Sequence, residues 1–486
     1  MLKKIREFEK ASSGLEPSSG ERGEMLGQAA SYAELFLTEL SDRKTYVADE
    51  GRNRQLIQPF SETPEKFSNL LEIVKDAVDY EGLNAASGGQ MGYIPGGGLF
   101  PSALGDFLAD VGNRYSGVSY ASPGAARMEQ QMVRWMTEIV GYPSTSGGDL
   151  TSGGSIANLT AIVTAREIME VRARDVENSC VYLTDDTHHC VDKSLRAAGL
   201  GECRRRVVPM DKNFRMDSGV LHQMIEADQA DGLRPWIIIA SAGTTDTGAV
   251  DPLDEIADVA DRHAVWLHVD AAFAGTALLL DEYRWMIDGI EEVDSFVFNP
   301  HKWMFANFDC SAYFVKDKEA LLRTFSILPE YLKTKEGDRV NNYRDWGIAL
   351  GRRFRALKLW FVIRSFGVKG IQEKIREHIR WANNLKKKIE DSEMFELMAP
   401  VPFATVCFRY KPADIKNPDK LNAMNEELLE KLNSSGRIYL THTKLKNNYT
   451  IRIVIGQTYQ EEYHIINGWE LINKTAEDIL KKNYKT

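Results

Sequence analysis

The chain predicts an α/β fold, with a large and mostly parallel sheet covered by helices on both faces. An N-terminal helical segment and a small α+β C-terminal domain complete it. Two observations carry that expectation. Short apolar runs rich in β-branched and aromatic residues recur at residues 180–183, 236–240, 265–269 and 293–298, with helical patterns between most of them. Buried strands alternating with helices are the pattern of crossover units in a parallel sheet. The length of 486 residues also exceeds what one core usually covers, so a large domain should carry smaller ones.

Taken in order, residues 11–23 are rich in Ser, Gly, Pro and Glu and read as a loop between two helices. The second helix, about 24–41, and a further stretch at 64–80 have apolar residues at helical spacing. Neither can form a core alone, so another subunit is the expected packing partner. Residues 87–98 are dense in glycine and include Tyr93-Ile94-Pro95-Gly96-Gly97-Gly98. That segment fits a plain loop, or a wall where backbone closely approaches a ligand. Helices are expected at 128–140 and 156–169, a loop at 333–342, and a long helix at 357–389. Strands near 403–409 and 450–455 belong to the terminal unit. The division this implies is 1–85, 86–375 and 376–486.

Composition narrows the function. A formal charge of −10 disfavours nucleic acid or an anionic membrane as partner. The five cysteines are odd in number and form no CxxC pair, which fits reduced thiols better than a disulfide framework or a zinc site. No apolar run approaches the ~20 residues needed to span a bilayer, and the charged N-terminus lacks the apolar core of a secretory signal. A cytoplasmic location is expected.

The chemistry gathers at strand ends. Asn299-Pro300-His301-Lys302-Trp303 follows the run 293–298. A lysine just past a core strand sits at the sheet rim, where α/β folds bind ligands, and can lose its proton and condense with an aldehyde. Read alone, it also fits a snorkelling surface lysine. Ser152-Gly153-Gly154-Ser155 opens a helix, where converging amides, a hydroxyl and the helix dipole favour an anion; a simple cap has the same look. His268-Val269-Asp270-Ala271-Ala272 ends another strand. Asp270 there can pair with a protonated ring nitrogen and Ala272 lets a flat ring approach, although an aspartate at a helix start is common. His188 and His189 follow the run 180–183, where an imidazole can stack on an aromatic cofactor and carry protons. Solvent exposure is the plainer reading, and no third ligand makes the pair a metal site. An anion cradle, an acid for a ring nitrogen, a stacking imidazole and an imine-forming lysine together are what pyridoxal 5'-phosphate requires.

These residues, with Phe273-Ala274-Gly275 and Leu350-Gly351-Arg352-Arg353-Phe354-Arg355, resemble the signatures of the group II pyridoxal-phosphate-dependent decarboxylases, most nearly the aromatic L-amino-acid decarboxylases. The resemblance runs from about Asn69 into the C-terminal region. It implies the type I aminotransferase-like fold and an intertwined homodimer clasped by the N-terminal helices, with the active site at the subunit interface. It also implies that Lys302 is the Schiff-base lysine, that Asp270 pairs with the pyridine nitrogen, and that His188 and Ala272 face the two sides of the ring. Gly154, Ser155 and Asn299 are similar to phosphate ligands, while Thr245 and His301 are similar to cofactor-lining residues.

For the reaction, the resemblance implies decarboxylation of an L-amino acid to an amine. Tyr331 matches the loop tyrosine that returns a proton to carbon; relatives that oxidise the amine to an aldehyde carry phenylalanine there. For substrate, Tyr93 and Gly351 match pocket positions. Gln90-Met91-Gly92 replaces the adjacent aromatic residues usual before the first, and glycine at the second accompanies indole rather than phenol substrates, which favours tryptophan. The alternatives are a decarboxylase of glutamate or cysteine sulfinate, an aromatic aldehyde synthase, or a non-catalytic scaffold.

Overall fold

The computed structural model describes residues 2–94, 98–327 and 342–483. Its centre is a seven-stranded sheet: β1 (Gly147–Thr151), β2 (Ser179–Leu183), β3 (Arg204–Val207), β4 (Arg234–Ser241), β5 (Trp266–Asp270), β6 (Ser295–Phe298) and β7 (Ser311–Val315). The spatial order is β1-β7-β6-β5-β4-β2-β3. The β3, β2, β4, β5 and β6 pairings are parallel, and β7 runs antiparallel to both β6 and β1. The mostly parallel sheet is therefore as expected. Ile237, Ile238 and Ile239 are all fully buried, as required of a strand covered on both faces.

Three of these strands lie outside the four expected runs. β3 is an edge strand, and Arg204, Arg205 and Arg206 give it charge where an edge needs protection from further pairing. β1 begins Gly147-Gly148-Asp149, a composition poor in strand formers. Glycine is needed there because a Cβ on Gly148 would lie 2.4 Å from the Tyr313 carbonyl of β7. β7 is itself an apolar run buried along its whole length, and it follows the turn that carries Lys302 rather than a helix.

The helices are α1 (Leu2–Ser12), α2 (Ser19–Thr38), α3 (Phe67–Ile73), α4 (Phe100–Gly112), α5 (Pro123–Val140), α6 (Gly154–Ile168), α7 (Cys190–Ala197), α8 (Ser218–Ala230), α9 (Leu253–His263), α10 (Glu319–Phe325), α11 (Arg355–Glu390), α12 (Pro418–Ser434) and α13 (Glu462–Asn483). The expected loop at 11–23 is shortened, because Ser18 and Glu21 form a capping box that starts α2 early. The long helical region expected at 357–389 is present as α11. Gly367 within α11 has φ 65° and ψ 167°, so the helix is kinked there. A second sheet, antiparallel throughout, has β8 (Phe395–Leu397), β9 (Thr405–Tyr410), β10 (Thr441–Leu445) and β11 (Asn448–Val454) in the order β8-β9-β11-β10.

The N-terminal helices pack poorly on their own chain. No residue of α2 or α3 is buried, and Leu2, Phe8, Leu15 and Phe60 are exposed.

Candidate active site

The carboxyl ends of the parallel strands open into one cavity of about 320 Å³, the place where open α/β sheets bind ligands. Gly154, Ser155, His188, Thr245, Asp270, Ala272, Asn299, His301 and Lys302 all line it. Residues separated by up to about 150 positions meet because β1, β2, β4, β5 and β6 all end at this rim.

At one end lies the start of α6. Gly153 has φ 137°, a conformation that favours glycine, and turns the chain from β1 into the helix. A Cβ on Gly154 would lie 2.9 Å from Asn299 Nδ2. Asn299 is buried, and its Oδ1 has no hydrogen-bond partner. For an anion it is the Asn299 Nδ2 side, turned toward Gly154, that can donate beside the amides of the helix start. Gly154→Ala should push Asn299 aside and weaken cofactor binding about tenfold. Equilibrium titration with pyridoxal phosphate checks this, and unchanged affinity would remove Gly154 from the cradle.

Lys302 owes its position to a tight turn after β6. The Asn299 amide donates to the Ala272 carbonyl at 3.0 Å, and the Lys302 amide donates to the Asn299 carbonyl at 2.9 Å. The first bond continues the β5–β6 pairing past the strand ends, and the second folds the lysine back over the cavity. Burial lowers the Lys302 pKa below the usual ammonium range, while the charge of Asp270 opposes that shift. A lysine eased toward its neutral form is what imine chemistry needs.

Asp270 ends β5. Its Oδ1 accepts from the Ala272 amide and its Oδ2 from Asn158 Nδ2, both at 2.9 Å. Donors on both oxygens fix the orientation of the carboxyl group. The His188 and His189 rings lie 4.2 Å apart, tilted by 38°. Burial is the main cause of the lowered His188 pKa; Asp270 opposes it, and His189 and Lys302 add to it. The His188 ring is thereby held neutral, and its Nδ1 accepts from the Cys190 amide at 3.3 Å. Gly243, with φ 93°, is fixed by contact: a Cβ there would lie 2.5 Å from that of Ala274. The turn it allows brings Thr245 to the rim.

Two expected substrate residues do not line this cavity. Tyr93 is about half exposed and stacks on Tyr439 at 5.9 Å, while a Cβ on Gly351 would meet nothing within 4 Å. Tyr331 lies outside the described residues.

The cavity also contains residues that motif reading missed, among them Asn158, Asp186, Cys190 and Phe308. Asn158 had a signal, since it stands one helical turn beyond Gly154. Asp186 had none. Its Oδ2 is buried without a partner, and burial, then Asp246, Asp251 and Asp185, push its pKa up to about 7. A raised carboxyl pKa means that the folded state holds the proton more tightly. Asp186 therefore costs stability as pH rises from about 4 to about 7. Asp186→Asn should raise the melting temperature at pH 8, with the gain shrinking as pH falls. A gain independent of pH would contradict this environment.

A helix-start cradle facing a lysine and a carboxylate at adjacent parallel strand ends defines an α/β enzyme of the pyridoxal-phosphate class. Residues 51–411 match the family described as the pyridoxal-dependent decarboxylase conserved domain. The chain is 37% identical over 392 residues to a tryptophan decarboxylase of Camptotheca acuminata, covering 78% of each chain. It is 34% identical over 442 residues to a tyrosine decarboxylase of Papaver somniferum, covering 86% of each. Its fold matches the crystal structure of Oryza sativa TDC with PLP and tryptamine at a TM-score of 0.91, with 30% identity, covering 95% of this chain and 99% of that one. The chain belongs to the pyridoxal-dependent decarboxylase family, and pyridoxal 5'-phosphate is its cofactor.

Proposed function

We propose that this enzyme decarboxylates an aromatic L-amino acid to the corresponding amine and carbon dioxide, with tryptophan the favoured substrate. The observation that carries the reading is the shared cavity of Lys302, Asp270 and the Gly154 cradle. Relatives named for tryptophan and tyrosine support the aromatic class, and the glycine at position 351, by the family resemblance, favours indole over phenol substrates. Carbon dioxide release across tryptophan, tyrosine, phenylalanine, dopa and glutamate tests it. Turnover of glutamate alone would overturn it.

Bound pyridoxal phosphate supplies an electron sink for the pair left behind as the substrate carboxylate departs. Lys302 binds the cofactor's aldehyde end, and Gly154, Ser155 and Asn299 hold its phosphate. Asp270 holds the proton on the ring nitrogen. His188 and Ala272 would flank the cofactor's ring, while Thr245 and His301 would complete the lining. Held by these residues, the substrate would be fixed in the one orientation that favours loss of its carboxylate.

Tyr331, by the family resemblance, delivers a proton to the carbon that has lost its carboxylate. Tyr331→Phe should lower amine yield and raise aldehyde and peroxide; an unchanged product ratio would remove that role.

The assembly we propose is a homodimer in which residues 1–85 clasp the partner, 86–375 bind the cofactor and 376–486 form the small domain. The exposed apolar side chains of α1 to α3 support it, because such surface is normally covered. Tyr93 and Gly351 then serve the substrate at the subunit interface. Sedimentation of the full chain as a monomer at micromolar concentration would refute this. A cytoplasmic location is supported by five unpaired cysteines.

A further inference from the structure

The face of β5 that carries Asp270 also carries Trp266 and His268, because alternate residues of a strand share a face. All three are buried, as are Asn158 of α6 and Ser295 of β6. They form one continuous chain of hydrogen bonds. Trp266 Nε1 donates to Ser295 Oγ at 2.9 Å, and Ser295 Oγ lies 2.8 Å from His268 Nδ1. His268 Nε2 lies 2.7 Å from Asn158 Oδ1, and Asn158 Nδ2 donates to Asp270 Oδ2 at 2.9 Å. The second amide hydrogen of Asn158 faces Cys190 Sγ at 3.4 Å.

The direction of every bond follows from the chemistry of its two ends. An ionised carboxylate only accepts, so Asn158 must turn its NH2 toward Asp270 and its carbonyl toward His268. His268 must then donate from Nε2. A neutral ring protonated at Nε2 accepts at Nδ1, so the Ser295 hydroxyl donates there. The indole N–H only donates, and it fills the serine oxygen at the far end. Along this chain of side chains each donor points toward Asp270. Burial pushes the His268 pKa down to about 4, against the opposing charge of Asp270, so the ring carries a single proton for the wire.

We propose that Asn158 and His268 are positioning residues for the reaction, forming a one-directional hydrogen-bond wire that fixes Asp270 as an ionised acceptor facing the cofactor's ring nitrogen. Asn158 stands one turn beyond Gly154 on the same helix, so one rigid element registers the phosphate cradle against the ring-nitrogen acid. The inference rests on the proposed function for the placing of the ring, and on the protein alone for the wire.

The test has two arms. Nitrogen-15 NMR of histidine-labelled full-length protein, loaded and stripped of cofactor, reads the His268 tautomer, with His268→Gln identifying the signal. A neutral ring protonated at Nε2 at pH 7 is expected in both states. Protonation at Nδ1, or a charged ring, would overturn the wire.

The second arm compares His268→Gln with His268→Asn. A glutamine amide reaches the position of ring Nε2 and can still donate to Asn158, whereas an asparagine amide reaches only the position of Nδ1. His268→Gln should retain cofactor affinity within about threefold and keep the wild-type absorbance. His268→Asn, with the Asn158 carbonyl left unpaired, should lose about tenfold or more and shift the cofactor's band. Equal behaviour of the two variants would overturn the positioning role. Wild-type protein that takes up no pyridoxal phosphate would overturn the functional reading, and the tautomer in that protein would still decide the wire.

Discussion

Lys302→Ala is expected to remove the cofactor's absorbance near the visible edge and to lower turnover by about three to six orders of magnitude. Among the described residues lining the cavity, Lys302 is the sole amine. Its pKa is lowered by burial, and no other described lining group can form an imine with an aldehyde. The turn that carries it is held by backbone bonds of Asn299 and Lys302, so alanine leaves the fold intact. Absorbance of the purified variant soaked in pyridoxal phosphate, with single-turnover kinetics, checks the expectation. A variant that kept the visible band and turned over within tenfold of wild type would place the chemistry at another residue.

Asp270→Asn comes second, with an expected fall in kcat of about two to four orders of magnitude. Deleting one partner of a buried charge pair costs about 3–5 kcal/mol, and each 1.36 kcal/mol is a factor of ten in rate. The asparagine amide has the same shape, so loss of charge rather than loss of packing is what the variant reports. It would also turn an N–H toward either Asn158 or Ala272, both of which already donate to this position. Looser cofactor binding should therefore accompany the slower reaction. A full rate with the fold intact would show that the ring nitrogen needs no acid here.

The motifs at the strand ends were legible because each is local. An apolar run followed at once by Asn299-Pro300-His301-Lys302, or by Asp270, states both the strand and the group at its end. The parallel sheet was legible for the same reason, through isoleucine-rich and aromatic runs long enough to cross a covered sheet. Less could be read where one element answers to another. β1 looks like a glycine loop until the Tyr313 carbonyl is seen against Gly148. β3 looks like a charged loop until its edge position is known. The kink at Gly367 is hidden in an otherwise helical pattern, since glycine by itself marks only tolerance of unusual backbone.

The sequence by itself determined the class of sheet and which residues stand at its strand ends, Lys302, Asp270 and Gly154 among them, because a strand and the residue at its end are neighbours along the chain. Tertiary structure alone decided that Asn158 meets His268, that Asp186 lies buried without a partner, and that Tyr93 stands apart from the cavity of its own chain. Those facts depend on groups far apart in sequence, brought together by packing, and no local pattern encodes the distance between them.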